Sequence, residues 1–144
     1  MRVIISFCIT LILLVSCSND VKIDQQWLED NYTKREVMIP MRDGIKLYTS
    51  IYEPDDAHER PVLIVRTPYS CAPYGEGWKS DLTEYMQEFL EHRYVIAFQD
   101  VRGRYMSEGQ YENVRPYDPY KSDNETDEAS DTYDTVEWLI SNTD

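Results

Sequence analysis

Basic residues are scarce in this 144-residue chain: 14 Lys and Arg stand against 27 Asp and Glu, a formal charge of −13. That balance repels nucleic acid and leaves no basic patch for an anionic membrane surface. Cysteine is sparse as well, at positions 8, 17 and 71, too few for a disulfide-stapled fold. Only two histidines, His58 and His92, are present, each in a segment that reads as surface. Neither lies near Cys71 in sequence, which argues against a Cys–His nucleophile, and no His/Cys spacing matches a zinc site. No cofactor motif and no internal repeat is found. No apolar run is long enough to cross a bilayer core of about 30 Å as a helix.

What the N-terminus does contain is a short apolar stretch, Val3–Leu14, after one arginine. It reads as an export signal, to be left out of the fold. Its end, Leu14-Val15-Ser16-Cys17, resembles the lipobox of bacterial lipoproteins. That resemblance implies removal of residues 1–16 and a lipid on Cys17, with the protein exported and held at the cell envelope, periplasmic or outer-membrane face. Ser18 after the cysteine favours the outer membrane. An ordinary secretory signal with an incidental cysteine is the alternative. Residues 17–34 are largely polar, with Trp27, Leu28 and Tyr32 as anchors, and are expected to be a tether with a docking turn.

Folding is expected to start at residue 35. Val37 and Ile39 alternate with polar neighbours, Asp43-Gly44 supplies a tight turn, and Leu47, Thr49 and Ile51 alternate with Tyr48, Ser50 and Tyr52. That pattern predicts an antiparallel hairpin. The continuous apolar run Val62–Val65 predicts a parallel strand covered on both faces. Leu82, Tyr85, Met86, Phe89 and Leu90 then share one helical stripe, with Asp81 and Glu84 spaced as a capping box and His92-Arg93 at the carbonyl end. "YVIAFQD" is a second buried strand. "ASDTYDTVEWLISN" is a second helix with Tyr133, Val136 and Ile140 on one face. Hairpin, strand, helix, strand, long loop and helix predict an α/β fold that opens with an antiparallel hairpin and continues with parallel strands.

The long loop opens with "QDVRGRYMSEGQY". An aspartate directly after a buried strand, followed by Arg-Gly-Arg, marks the C-terminal edge of a parallel sheet, where open α/β folds place ligands. Gly103 and Gly109 are suited to tight turns. Asp100, Arg102 and Arg104 read first as an ion-pair network pinning the loop; contact with an anionic substrate group is the other reading. Further on, Asp118, Asp123, Glu125 and Asp127 alternate oxygen ligands. They lack the central glycine and closing glutamate of an EF-hand, so no metal is expected.

"MRDGIKLYTSIYEP", "PVLIVRTPY", "YVIAFQDVRGRYMSEGQY" and "DTYDTVEWL" together resemble the opening of the X-Pro dipeptidyl-peptidase-like serine hydrolases. That group includes cocaine esterase, the α-amino-acid ester hydrolases and the glutaryl-7-aminocephalosporanic-acid acylases. The resemblance implies an α/β-hydrolase fold and cleavage of ester or amide bonds through an acyl-serine. Implied substrates are acyl-amino-acid esters, β-lactam side chains or X-Pro dipeptides. It also implies that Tyr69, in the "TPY" block, donates its phenol to the oxyanion. Asp100, Arg102, Gly103, Ser107 and Gly109 are implied to frame the site. The chemistry agrees: hydrolysis passes through a tetrahedral intermediate whose oxygen becomes negative, and a fixed donor there lowers the barrier. Pro68 limits its own φ and holds Thr67 extended, so the phenol is presented on a stiff corner.

The family's nucleophile lies in a Gly-x-Ser-x-Gly elbow, with an acid and a histidine later in the chain. No such motif occurs in these residues; Ser107 lacks the glycine two positions before it. Residues 35–144 are therefore expected to be the incomplete N-terminal part of the hydrolase domain. A non-catalytic, lipid-anchored remnant or small binding module is the alternative. Substrate identity and oligomeric state are not legible.

Overall fold

The computed structural model describes residues 22–56 and 58–143; the signal segment and Cys17 lie outside them. Element order is α1 (Gln25–Asn31), β1 (Tyr32–Pro40), β2 (Lys46–Pro54), β3 (Val62–Thr67), α2 (Leu82–Tyr85), α3 (Gln87–Glu91), β4 (Val95–Asp100) and α4 (Glu128–Asn142). The four strands form one sheet in the order β1-β2-β4-β3. β1 and β2 are the expected antiparallel hairpin, in register from Tyr32↔Pro54 to Pro40↔Lys46. β2 runs antiparallel to β4, and β4 is parallel to β3, from Val62↔Val95 to Thr67↔Asp100. At the hairpin turn Gly44 adopts φ +88, a conformation that glycine enters without a Cβ penalty.

The sheet separates two cores. Tyr48, Tyr52, Ile96 and Phe98 face the side of α1–α3, where they meet Ile23, Leu28, Tyr32, Leu82 and Leu90. Leu47, Ile51, Val95 and Ala97 face the side of α4 and pack with Ile39 and Leu139. The alternation read from Leu47 to Tyr52 therefore holds. Both faces of β2 are buried, because it lies between β1 and β4 with a layer on each side.

Several sequence expectations change. Residues 22–34 are not a plain tether: they form α1 and the start of β1. Asp24 caps α1 by accepting from the Trp27 amide. Leu28 and Tyr32 are buried, and the Tyr32 hydroxyl donates to the carbonyls of Leu90 and Tyr94. Burial pushes that phenol up to about 12. β3 is parallel as expected, yet each of its residues is only half-buried, because it lies at the sheet edge with β4 on one side alone. The helix read from residue 82 is two short helices broken at Met86 (φ −118, ψ 15), and Asp81 makes no side-chain cap bond. Arg93 has left the helix at φ +57 and lies over Trp27 while donating to Asn31.

The largest correction concerns α4. Its capping box is formed by Asp127 and Ser130. Its buried positions are Ser130, Asp131, Thr135 and Leu139, while Tyr133 and Ile140 are 59% and 69% exposed. The apolar stripe read from sequence thus points outward. Apart from Leu139, which joins the apolar cluster, the inward face is held by polar bonds: Gln99 donates to Thr49 and Thr135, both at 3.0 Å, and Arg66 donates to Gln99 at 2.8 Å and Thr132 at 2.7 Å.

Candidate active-site edge

The parallel strands β3 and β4 end side by side, at Thr67 and Asp100, so the segments that follow them meet at one edge of the sheet. Strand β3 runs into Pro68 and Tyr69, and the Tyr69 side chain is 83% exposed there. Its backbone is held firmly. The Tyr69 amide donates to Thr67 Oγ1 at 3.0 Å, and the Pro68 carbonyl accepts from Arg104 Nε at 3.1 Å. Ser70 adopts φ +92, a costly conformation for a residue with a Cβ, one that persists only where its surroundings over-determine it. Here they do: the Ser70 hydroxyl accepts from the Ala72 amide and pairs with the Tyr74 hydroxyl.

Asp100 is the buried anchor of this corner. One carboxylate oxygen accepts from the Cys71 amide at 2.8 Å. The other accepts from the Tyr74 hydroxyl at 2.9 Å and the Met106 amide at 3.3 Å. Burial, reinforced by the nearby carboxylate, pushes the Tyr74 phenol up to about 12. The Cys71 thiol is raised by its burial and then by Asp100. A buried, high-pKa thiol is a poor nucleophile, so Cys71 is a packing residue of this corner.

The 100–109 loop divides its charges between two tasks. Arg102 turns inward and is clamped by Asp131 (2.6 and 3.0 Å) and Asp43 (2.6 and 3.3 Å). Arg115 joins Asp131 at 2.6 Å and Glu128 at 3.1 Å. Arg102 is thereby occupied in tying the hairpin turn to α4. Arg104 points the other way. Among the described residues it forms no ion pair, and its guanidinium lies over the rings of Tyr105 and Tyr111, 5.1 and 4.9 Å from their centroids. Gly103 has φ +68, and a Cβ there would come within 2.0 Å of the Tyr111 amide nitrogen; this close crossing is what brings Tyr111 over Arg104. Gly109 packs against Ile45 and the Arg102 stem, leaving no room for a side chain. Ser107 is buried, donating to the Asp100 carbonyl at 2.6 Å and accepting from the Tyr48 amide at 2.9 Å.

Of the acidic residues in the following loop, Asp127 caps α4, Asp118 accepts from the Tyr120 amide, and Glu125 accepts from Ser122. Among the described residues no group of three or more His, Cys, Asp or Glu side chains is placed to hold a metal ion. Sequence reasoning missed Ser70 and Tyr74 as parts of the corner, and read Arg104 as an ion-pair partner where it donates instead to the Pro68 carbonyl. Tyr74 and Asp100 are 26 positions apart, and no local pattern announces their contact.

This pairing of an antiparallel hairpin with a parallel strand pair, ending in a rigid tyrosine corner beside an Asp-x-Arg-Gly loop, is the opening of an α/β-hydrolase sheet. Residues 43–144 match the model of the X-Pro dipeptidyl-peptidase (S15) family, and the chain belongs to that family. It is 33% identical over 114 residues to a cocaine esterase from Rhodococcus sp. (strain MB1 Bresler), covering 78% of this chain and 18% of that protein. Among solved structures it is similar to an aminopeptidase from a marine-sediment Thaumarchaeota archaeon (39% identity, TM-score 0.66). It is similar also to an α-amino acid ester hydrolase (43% identity, TM-score 0.65). Each of these two alignments covers 78% of this chain and 19% of the other. The chain thus spans about a fifth of the length of these relatives.

Proposed function

We propose that residues 35–144 form the opening part of a serine hydrolase that cleaves ester or amide bonds through an acyl-serine, with the Tyr69 phenol as an oxyanion donor. The observation that carries this reading is the Tyr69 corner itself. A large side chain stands exposed at the C-terminal edge of a parallel strand, on a backbone held by Thr67, Arg104 and Asp100 around a strained Ser70. The relatives' names, two ester-cleaving enzymes and an aminopeptidase, support the same chemistry. Acyl-amino-acid esters, β-lactam side chains and X-Pro dipeptides are the substrate classes to try. In this reading the nucleophile, acid and histidine of the triad are not among residues 35–144, which contain no Gly-x-Ser-x-Gly motif.

The test is Tyr69→Phe in the full-length protein, assayed on an activated ester. Losing one oxyanion donor lowers kcat about 100- to 1000-fold. Because the bond strengthens in the transition state, KM changes far less. The exposed ring is kept, so the thermal midpoint stays put. Turnover within about threefold of the parent returns Tyr69 to the ordinary surface aromatics.

Attachment is part of the same proposal. Cys17 carries the lipid and residues 1–16 are removed, as the Leu14-Val15-Ser16-Cys17 sequence suggests. The mass of the N-terminal peptide from the membrane fraction checks it; cleavage elsewhere, or an intact signal, counts against it.

A further inference from the structure

Among the described residues, Arg104 is the arginine of the "DVRGR" pair whose charge is not spent on a carboxylate. Its Nε donates to the carbonyl of Pro68, the peptide group immediately before Tyr69, and the guanidinium lies against the rings of both Tyr105 and Tyr111. Stacking of this kind fixes the plane of a guanidinium, and the loop beneath is itself fixed. The Arg104 amide donates to the Val101 carbonyl at 3.0 Å, and the Arg104 carbonyl accepts from the Ser107 amide at 2.9 Å. Tyr105 is held at φ +46. The hydrogen bond therefore comes from a rigid donor and lands on the hinge that aims Tyr69.

We infer that Arg104 is a positioning residue for the oxyanion donor: it holds the Pro68 carbonyl so that the Tyr69 phenol stands in one place. This rests on the Tyr69 reading above. Asp100 secures the other end of the corner through the Cys71 amide, so the peptide carrying Tyr69 is fastened on both sides by the same Asp-x-Arg-Gly-Arg loop. Arg102, two residues earlier, has no share in this, being turned to Asp43 and Asp131.

The experiment is a double-mutant cycle in the full-length protein on an activated ester, with Arg104→Met, Tyr69→Phe and both together. Methionine keeps an unbranched apolar stem against the two tyrosines and removes the donor. Misplacing a catalytic group by about 1 Å can cost about 100-fold; with the Asp100 side still fastened, Arg104→Met is expected to lower kcat about tenfold, with KM changed less than twofold. In the Tyr69→Phe background the same change is expected to cost less than twofold, because there is no phenolic donor left to aim; that non-additivity is the signature of residues acting together. Arg104→Lys, which restores a donor, should recover part of the rate.

A full tenfold cost persisting in the Tyr69→Phe background overturns the inference while leaving the oxyanion role of Tyr69 standing. Tyr69→Phe without effect removes that role, and this inference with it. A rise in KM confined to carboxylate-bearing esters, at unchanged kcat, overturns it in favour of a substrate-anion contact. A lowered thermal midpoint with normal turnover per folded molecule overturns it in favour of packing.

Discussion

The two faces of the sheet are held by different physics. Toward α1–α3 the contact is aromatic and aliphatic: Tyr52 meets Phe98 edge-on at 6.1 Å and Trp78 at 5.6 Å, around buried Leu28, Leu82, Leu90 and Ile96. Toward α4 the apolar cluster is smaller, and beside it runs a buried polar seam from Thr49 through Gln99 to Thr135, and from Asp43 through Arg102 to Asp131. The first face is held by area removed from water, which tolerates small shifts. The second depends on satisfied directional bonds, which fail when one partner is removed. The polar seam ties the hairpin turn and the 100–109 loop to α4, whereas the corner that carries Tyr69 packs through Cys71 and Tyr74 on the aromatic face.

The comparison is broken most severely at Asp131. It is fully buried, accepts from Arg102 and Arg115 and lies at ion-pair distance from Arg66, so Asp131→Ala removes a carboxylate shared by three guanidiniums. A loss of about 3 to 5 kcal/mol is expected, read as a drop in the urea midpoint followed by tryptophan fluorescence. On the opposite face Leu90→Ala removes a fully buried side chain and should cost about 3 kcal/mol. The two changes should differ in kind. The first should loosen the 100–109 loop and lower turnover of the folded enzyme, whereas the second should lower stability and leave turnover per folded molecule unchanged.

Acid sharpens the contrast. Burial raises the Asp43 pKa, but the Arg102 guanidinium more than offsets this and holds the carboxyl below its usual 3.8. Asp134 is likewise raised by burial and lowered further by Arg42. A carboxylate whose folded pKa is depressed contributes stability that is complete above its unfolded pKa and lost as pH falls through the folded one. The seam should therefore weaken only below about pH 4. Asp43→Asn should lower the urea midpoint at pH 6 and flatten its fall below pH 4; an unchanged acid slope would assign the loss to other groups. The smallest effect is expected at Ile140, on the exposed stripe of α4. Ile140→Ser should change stability by about 0.5 kcal/mol or less. A cost above about 1 kcal/mol would mean that another part of the protein covers this stripe and the adjoining edge of β3.

Much of the fold was legible because it rests on local signals. The alternation Leu47–Tyr52, the Asp43-Gly44 turn, the uniform burial of "VIAFQD" and the helix after the acidic loop each announce themselves within a few residues. The same signals misread α4 and β3 for a common reason. Periodicity says that Tyr133, Val136 and Ile140 share a face, but not that the face points inward; the inward one is polar because Gln99, Arg66 and Arg102 wait beneath it. Apolar continuity from Val62 to Val65 says that a strand is buried at least in part, but not that it lies at the edge.

Sequence alone determined the order of the four strands and the last helix, the family, and the position of Tyr69 at the end of a strand, because each depends on residue type and short spacing. Only the tertiary structure decided that Arg102 is clamped by Asp131, 29 positions away, while Arg104 is left to hold the Pro68 carbonyl, 36 positions away. Two arginines one glycine apart are equivalent in a sequence. They part company once Gly103 takes φ +68 and the turn sends one guanidinium under α4 and the other over the corner that carries Tyr69.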